Sequence, residues 1–114
     1  AEVAARGAAA RADWQRRFDA WAAAHPDLAR TWARVQAGEL PADFDAAAAA
    51  ALPRWKPGDA LATRDAGGKV VNALAKLLPE LIGGDADLSC STKTALADAG
   101  SFEAAGGTGN NVHY

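Results

Sequence analysis

Two acidic side chains, Asp85 and Asp87, stand directly after the glycine pair Gly83-Gly84. Carboxylates in such a place can bind a hard metal ion or accept a hydrogen bond from the amino group of a cofactor. Aspartates at a chain reversal also bond to nearby backbone N–H groups, which is ordinary turn chemistry. From the spacing alone, a turn with solvated acids is the favoured interpretation.

Phosphate binding is the second chemistry that the residues allow. Arg64 stands early in a predicted helix, where a guanidinium and the helix dipole can together bind an anion. Residues 106–109 (GGTG) could offer backbone N–H groups to a phosphate, but they lack a Walker lysine and no helix pattern follows them. From these residues alone, we interpret Arg64 as a solvated charge and residues 106–109 as a flexible surface loop.

Nucleophiles and metal ligands are scarce in the sequence. Cys90 has no histidine or other base nearby in the chain, so it is not a candidate nucleophile. One cysteine and two histidines cannot build a structural zinc site. A single cysteine also cannot form an internal disulfide, which suits a reducing cytoplasm. We therefore assign no catalytic residue and no metal ligand within the chain.

The charge balance narrows the range of partners. The net charge is −2 and the sequence pI is near 5.6, whereas nucleic-acid and membrane partners usually require a basic field. The longest apolar run, residues 46–52, is far too short to span a bilayer. Residues 1–12 lack the apolar core of a signal peptide. We expect no nucleic acid and no membrane as partners.

The first half of the chain predicts three short helices. Apolar side chains recur there with the period of a helix, and breaks fall at His25-Pro26, near Gly38 and near Leu52-Pro53. A loop rich in proline and glycine follows over residues 53–60, where we place a domain boundary. The side chains that define the first two helices are Trp14, Phe18, Trp21, Leu28, Trp32 and Val35.

The second half predicts a helix followed by a strand. The apolar period indicates a fourth helix over about residues 60–78, weakened early by Gly67-Gly68 and ended by Pro79. The apolar run that leads into Gly83-Gly84 indicates a short buried strand. A helix followed by such a strand is typical of a parallel sheet. The predicted fold class is α/β, mostly helical in this segment.

The order of these segments resembles transketolases. Residues 62–64 read ATR, residues 78–88 read LPELIGGDADL and residues 109–114 read GNNVHY, where the family has ATR, then PELxGGSADL, then an aromatic residue just before GVREH. Upstream, FDAW at residues 18–21 and GELP at residues 38–41 also fit. The resemblance covers nearly the whole chain, loosely before residue 53 and specifically after it.

The resemblance implies two domains and three site residues. Residues 1–54 would be a helical linker, and residues 55–114 the start of the pyrimidine-binding domain of a thiamine-diphosphate enzyme. Arg64 and Ser91 would hold the phosphate of a sugar substrate, since an arginine fork and a hydroxyl suit a dianion. Asp87 would lie near the thiamine cofactor at a dimer interface.

Three positions near the proposed site depart from the pattern of the family. Asp85 stands in place of the usual serine and adds a negative charge. Cys90 stands in place of a common proline, and Thr92 in place of the usual asparagine. These departures concern the geometry of the loop rather than the resemblance itself.

The implied parent protein is a cytoplasmic homodimer of the pentose phosphate pathway that uses thiamine diphosphate and Mg²⁺ or Ca²⁺. It would pass a two-carbon glycolaldehyde unit from a ketose phosphate to an aldose phosphate. The catalytic glutamate of the GVREH segment would follow Tyr114 and the metal ligands would precede residue 1, so we expect the chain alone to be inactive. Two alternatives stay open: a sister enzyme such as dihydroxyacetone synthase, and a non-enzymatic helical interaction module.

Overall fold

The computed structural model describes residues 2–114. They divide into two compact units, the first ending at Pro41 and the second covering Ala42–Tyr114. The third helix begins at Phe44 and so belongs to the second unit. The proposed domain boundary between residues 54 and 55 concerns the longer parent protein and stays a prediction. None of the helices within residues 2–114 combines the length and apolar character needed to cross a membrane.

The first unit is a pair of helices joined by a tight break. Helix α1 covers Glu2–Ala24 and helix α2 covers Pro26–Gln36. Pro26 occupies the first turn of α2, where its missing N–H costs nothing. Gly38 follows α2 with φ +71°, a left-handed conformation that suits glycine after a helix. The predicted break at His25-Pro26 is therefore confirmed.

Aromatic side chains hold the helix pair together. The ring centroid of Phe18 lies 5.1 Å from that of Trp14, 5.5 Å from that of Trp21 and 4.7 Å from that of Trp32. Such pairs contribute about 0.5–1.5 kcal/mol each beyond the area they bury. The predicted aromatic face is confirmed. Phe18 packs against two tryptophans of its own helix and contacts Trp32 of α2.

The second unit begins with two further helices, α3 over Phe44–Ala51 and α4 over Thr63–Ala75, which pack against each other. Ala48 of α3 is buried. Helix α4 is shorter at both ends than the residues 60–78 that we predicted. Because Pro79 disfavours helical geometry in the residue before it, the last apolar residues form a turn rather than a continued helix.

Short strands complete the second unit. Strand β1, Gly83–Asp85, pairs in parallel with strand β4, Asn111–His113, with Gly83 opposite Asn111. The four-residue helix α5, Ser89–Thr92, lies between them in sequence. Strands β2, Phe102–Glu103, and β3, Gly107–Thr108, form an antiparallel pair. The predicted combination of helices and a parallel sheet is confirmed.

Two local predictions in this unit need correction. The strand starts at Gly83 rather than in the apolar run before it. The side-chain Nδ2 of Asn110 donates hydrogen bonds to the carbonyl oxygens of Pro79 and Leu81 at 2.8 and 2.9 Å, so these carbonyls bond to a side chain instead of a neighbouring strand. Residues 106–109 are not a free loop, since β3 lies within them. A Cβ on Gly109 would fall 2.1 Å from the carbonyl carbon of Gly100, so this glycine allows two backbone segments to meet.

The buried core of the described residues is small. Leu96 is 3% exposed and Ala48 is 8% exposed, and these are the two buried hydrophobic residues within residues 2–114. Leu96 lies against Gly83, where an added Cβ would be 3.4 Å from Leu96 Cγ. The core of the second unit therefore lies beneath the start of β1.

Candidate functional site

Helices α4 and α5 pack against each other and border an open cleft of about 530 Å³. Its wall combines residues of α4 and the segment before it with residues of α5 and the segment that follows. Two lysines, one aspartate and two neutral polar groups give it a mixed, polar character. The lining residues are Leu61, Asp65, Gly68, Lys69, Asn72, Ser89, Lys93 and Ala95.

Gly68 sets how closely the two sides of the cleft approach. A Cβ at this position would lie 2.6 Å from the carbonyl oxygen of Lys93 and 2.8 Å from its Cβ. Lys93 itself ends α5 in the left-handed conformation, with φ +60°. The glycine that weakens α4 by propensity is therefore the residue that lets the backbone after α5 lie against the helix.

Asn72 fixes the segment after α5 to α4. Its Nδ2 donates to the carbonyl oxygens of Gly68 at 2.9 Å and Ala95 at 3.0 Å, and its Oδ1 accepts from the N–H of Ala97 at 2.6 Å. Sequence reasoning missed this residue. The available signal was an asparagine among the apolar residues of α4, because a half-buried amide needs hydrogen-bond partners.

Asn111 plays a similar part from the strand β4. Its Oδ1 accepts from the N–H of Leu96 at 2.8 Å, and its Nδ2 donates to the carbonyl oxygens of Leu96 and Gly100 at 2.9 and 3.0 Å. The N–H and the carbonyl oxygen of the buried Leu96 are thus both hydrogen-bonded to the Asn111 side chain. Sequence reasoning missed this role too, because the partners lie 11 and 15 positions away.

The loop from Asp85 to α5 is closed by a side chain. Oδ1 of Asp85 accepts hydrogen bonds from the N–H groups of Leu88 at 2.8 Å and Ser89 at 3.0 Å. Asp87, inside this loop, has φ +58°. The turn interpretation of the two aspartates is thereby confirmed for Asp85. Within residues 2–114, no group of three or more His, Cys, Asp or Glu side chains could hold a metal ion.

The three site residues implied by the resemblance lie around α4 and α5. Arg64 is the second residue of α4 and is exposed. Ser91 is the third residue of α5 and Asp87 precedes α5, and both are exposed. The cleft is lined by their sequence neighbours, Asp65 and Ser89, rather than by these residues themselves.

Known proteins resemble this chain in sequence. No family model matches it. It is 40% identical over all 114 residues to a transketolase of Geobacillus stearothermophilus, covering 16% of that protein. It is 46% identical over 101 residues, or 88% of the chain, to a transketolase of Mycobacterium bovis, covering 14% of that protein.

Solved structures resemble the fold as well. Transketolase from Pichia stipitis, in a complex with sedoheptulose 7-phosphate, matches 96% of the chain with a TM-score of 0.72 and 31% identity, covering 17% of that structure. Transketolase from Leishmania mexicana matches 93% of the chain with a TM-score of 0.71 and 28% identity, covering 15% of that structure.

Both comparisons point to a segment of a larger protein with this α/β arrangement. The chain belongs with the transketolases, and it spans between 14% and 17% of the length of the relatives described above.

Proposed function

We propose that the chain is part of a transketolase that transfers a two-carbon glycolaldehyde unit from a ketose phosphate to an aldose phosphate. The observation that carries this proposal is the 40% identity with a transketolase along all 114 residues. A likeness in fold to a transketolase structure at 31% identity also supports it. The named relatives do not favour a dihydroxyacetone synthase or a non-enzymatic module.

Arg64 and Ser91 are our candidates for holding the substrate phosphate. Both side chains are exposed, and they stand on helices that pack against each other. Arg64 lies in the first turn of α4, where the helix dipole favours an anion. A guanidinium offers paired donors and a hydroxyl a third, which matches the oxygens of a phosphate dianion.

Asp87 is our candidate for contact with thiamine diphosphate. Its exposed carboxylate is a hydrogen-bond acceptor, which fits the amino group of the cofactor's pyrimidine ring. When bound, the cofactor supplies the chemistry that cleaves and forms carbon–carbon bonds, and the protein supplies position and electrostatics. The divalent ion, Mg²⁺ or Ca²⁺, would take its ligands from other parts of the longer protein.

The remaining features of the proposal concern the whole protein. We place it in the cytoplasm as a homodimer, because the resemblance implies that setting for the parent enzyme. The catalytic glutamate and the metal ligands would lie outside these residues, so the chain alone would not catalyse the reaction.

The proposal predicts a selective defect when Arg64 is replaced. In the full-length protein that carries this chain, Arg64→Ala should raise KM for the ketose phosphate by roughly 10- to 100-fold and change kcat less, because a charged hydrogen bond contributes about 1.5–3 kcal/mol. KM for a donor ketose without a phosphate should change little. Steady-state kinetics with both donors measure this.

Arg6→Ala is the matched control, since Arg6 is also an exposed arginine on a helix but lies in α1. It should leave both KM values unchanged. If the unmodified full-length protein transfers no two-carbon unit, the proposed function is wrong. If it does, but Arg64→Ala affects both donors equally, the role given to Arg64 is wrong.

A further inference from the structure

Asp85 joins the end of a strand to the loop that carries Asp87 and Ser91. Its backbone belongs to β1, where it lies opposite His113, and its carbonyl oxygen accepts from the N–H of Tyr114 at 3.3 Å. Its side-chain Oδ1 reaches forward to the N–H groups of Leu88 and Ser89. One carboxylate oxygen therefore ties the start of α5 to the paired strand.

The hydrogen bonds continue from Leu88 to Ser91. The carbonyl oxygen of Leu88 accepts from the N–H of Ser91 at 2.8 Å and from the N–H of Thr92 at 2.9 Å. The hydroxyl of Thr92 also donates to it at 2.9 Å. Ser91 is thus two hydrogen bonds away from the Asp85 carboxylate, through the peptide groups of Leu88.

The hydrogen bonds from Leu88 and Ser89 to the Asp85 carboxylate also span Asp87. This residue has φ +58°, a left-handed conformation that aspartate tolerates better than most residues with a side chain. Hydrogen bonds across the turn stabilise it further. The bond from Leu88 N–H to Asp85 Oδ1 spans the turn at Asp87 and provides that stabilisation.

We propose that Asp85 is a positioning residue, which sets the loop geometry of Asp87 and Ser91 and thereby the binding of cofactor and sugar phosphate. The roles of those two residues rest on the proposed function, whereas the hydrogen bonds of Asp85 do not. A carboxylate is a stronger acceptor than the serine usual in transketolases at this position. The additional negative charge therefore strengthens hydrogen bonds from two backbone N–H groups, those of Leu88 and Ser89.

Hydrogen exchange measured by mass spectrometry tests the geometry in the full-length protein. Asp85→Ala should speed exchange about tenfold in peptides that cover residues 86–93, because the loss of a hydrogen bond to a charged acceptor allows local opening. Asp85→Asn retains a neutral Oδ1 acceptor and should exchange clearly more slowly than Asp85→Ala. Glu103→Ala removes an exposed acid from β2 as a matched control and should change nothing in this loop.

Unchanged exchange in Asp85→Ala, or equal acceleration in Asp85→Asn, would overturn the proposal. These readouts do not depend on catalysis, so they stand even if the proposed function fails. If Asp85→Ala does not fold, Asp85→Ser replaces it. Its shorter side chain should hold the two N–H groups less well, so residues 86–93 should exchange faster in Asp85→Ser than in Asp85→Asn.

Binding measurements test the consequence. With active protein, Asp85→Ala should raise KM for the ketose phosphate and the Kd of thiamine diphosphate by about five- to tenfold, with Asp85→Asn restoring both. Faster exchange without a change in either constant would show that the loop does not position these ligands, and would overturn the inference while leaving the proposed function intact.

Discussion

At the scale of single residues, the structure separates neighbours that look alike in sequence. Gly67 and Gly68 both weaken α4 by propensity. A Cβ on Gly67 would meet nothing within 4 Å, whereas a Cβ on Gly68 would lie 2.6 Å from the carbonyl oxygen of Lys93. Only the second glycine is therefore required by packing.

This difference predicts opposite effects on stability. Gly67→Ala should stabilise α4 by about 0.5–1 kcal/mol, because alanine has the better helix propensity. Gly68→Ala should destabilise the contact between α4 and Lys93 by about 1–3 kcal/mol, because the added methyl group overlaps backbone. Native-state hydrogen exchange of α4 in the full-length protein measures both. A shift in the same direction for the two variants would contradict the packing argument.

At the scale of elements, the first unit depends on aromatic contacts between two helices. Phe18 touches three tryptophans, including Trp32 of α2. The ion pairs of Asp13 with Arg16 and Arg17 are exposed and lie within α1, so they do not join the two helices. The contact of Phe18 with Trp32 is apolar and lies between α1 and α2.

Replacement of Phe18 tests this account of the helix pair. Phe18→Ala should weaken the pairing of α1 and α2 by about 2 kcal/mol, less than for a fully buried ring because Phe18 is half-buried. Faster hydrogen exchange across α2 in the full-length protein would report it. Val3→Ala is the control, since Val3 is 73% exposed in the same helix. Equal effects of the two substitutions would refute the role of Phe18.

At the scale of the whole molecule, little apolar surface is covered. Two hydrophobic residues are buried within residues 2–114, while large side chains such as Ile82 and Leu88 stay 64% and 54% exposed. Strands β1 and β4 form a parallel sheet of only two strands, and parallel sheets are normally covered on both faces. These features suit a segment that packs against further protein.

The isolated 114-residue chain should therefore fold poorly. Calorimetry should show a broad, weakly cooperative melt, because too little area is buried to offset the entropy of ordering. Titration with thiamine diphosphate and magnesium should show binding by the extended protein and none by the short chain. A sharp melt together with tight binding by the short chain would place the cofactor site within these residues and require a new account of Arg64, Ser91 and Asp87.

Sequence predicted what depends on local periodicity and turn chemistry. The aromatic spacing of α1, the proline at the start of α2 and the acidic turn at Asp85 each reflect interactions within a few residues. The family resemblance came from motifs of the same local kind, at residues 62–64 and 78–88. Such features can be predicted because their physical causes lie in neighbouring positions of the chain.

Tertiary structure alone decided which residues meet across longer separations. Gly68 meets Lys93, Asn111 holds Leu96, and Gly109 passes against Gly100. The start of β1 at Gly83 and the pairing of β3 also depended on such partners. By itself, the sequence determined the helical pattern, the α/β class and the resemblance to transketolases. The close backbone contacts and the asparagine hydrogen bonds needed the fold, because their energy comes from partners that only the folded chain brings together.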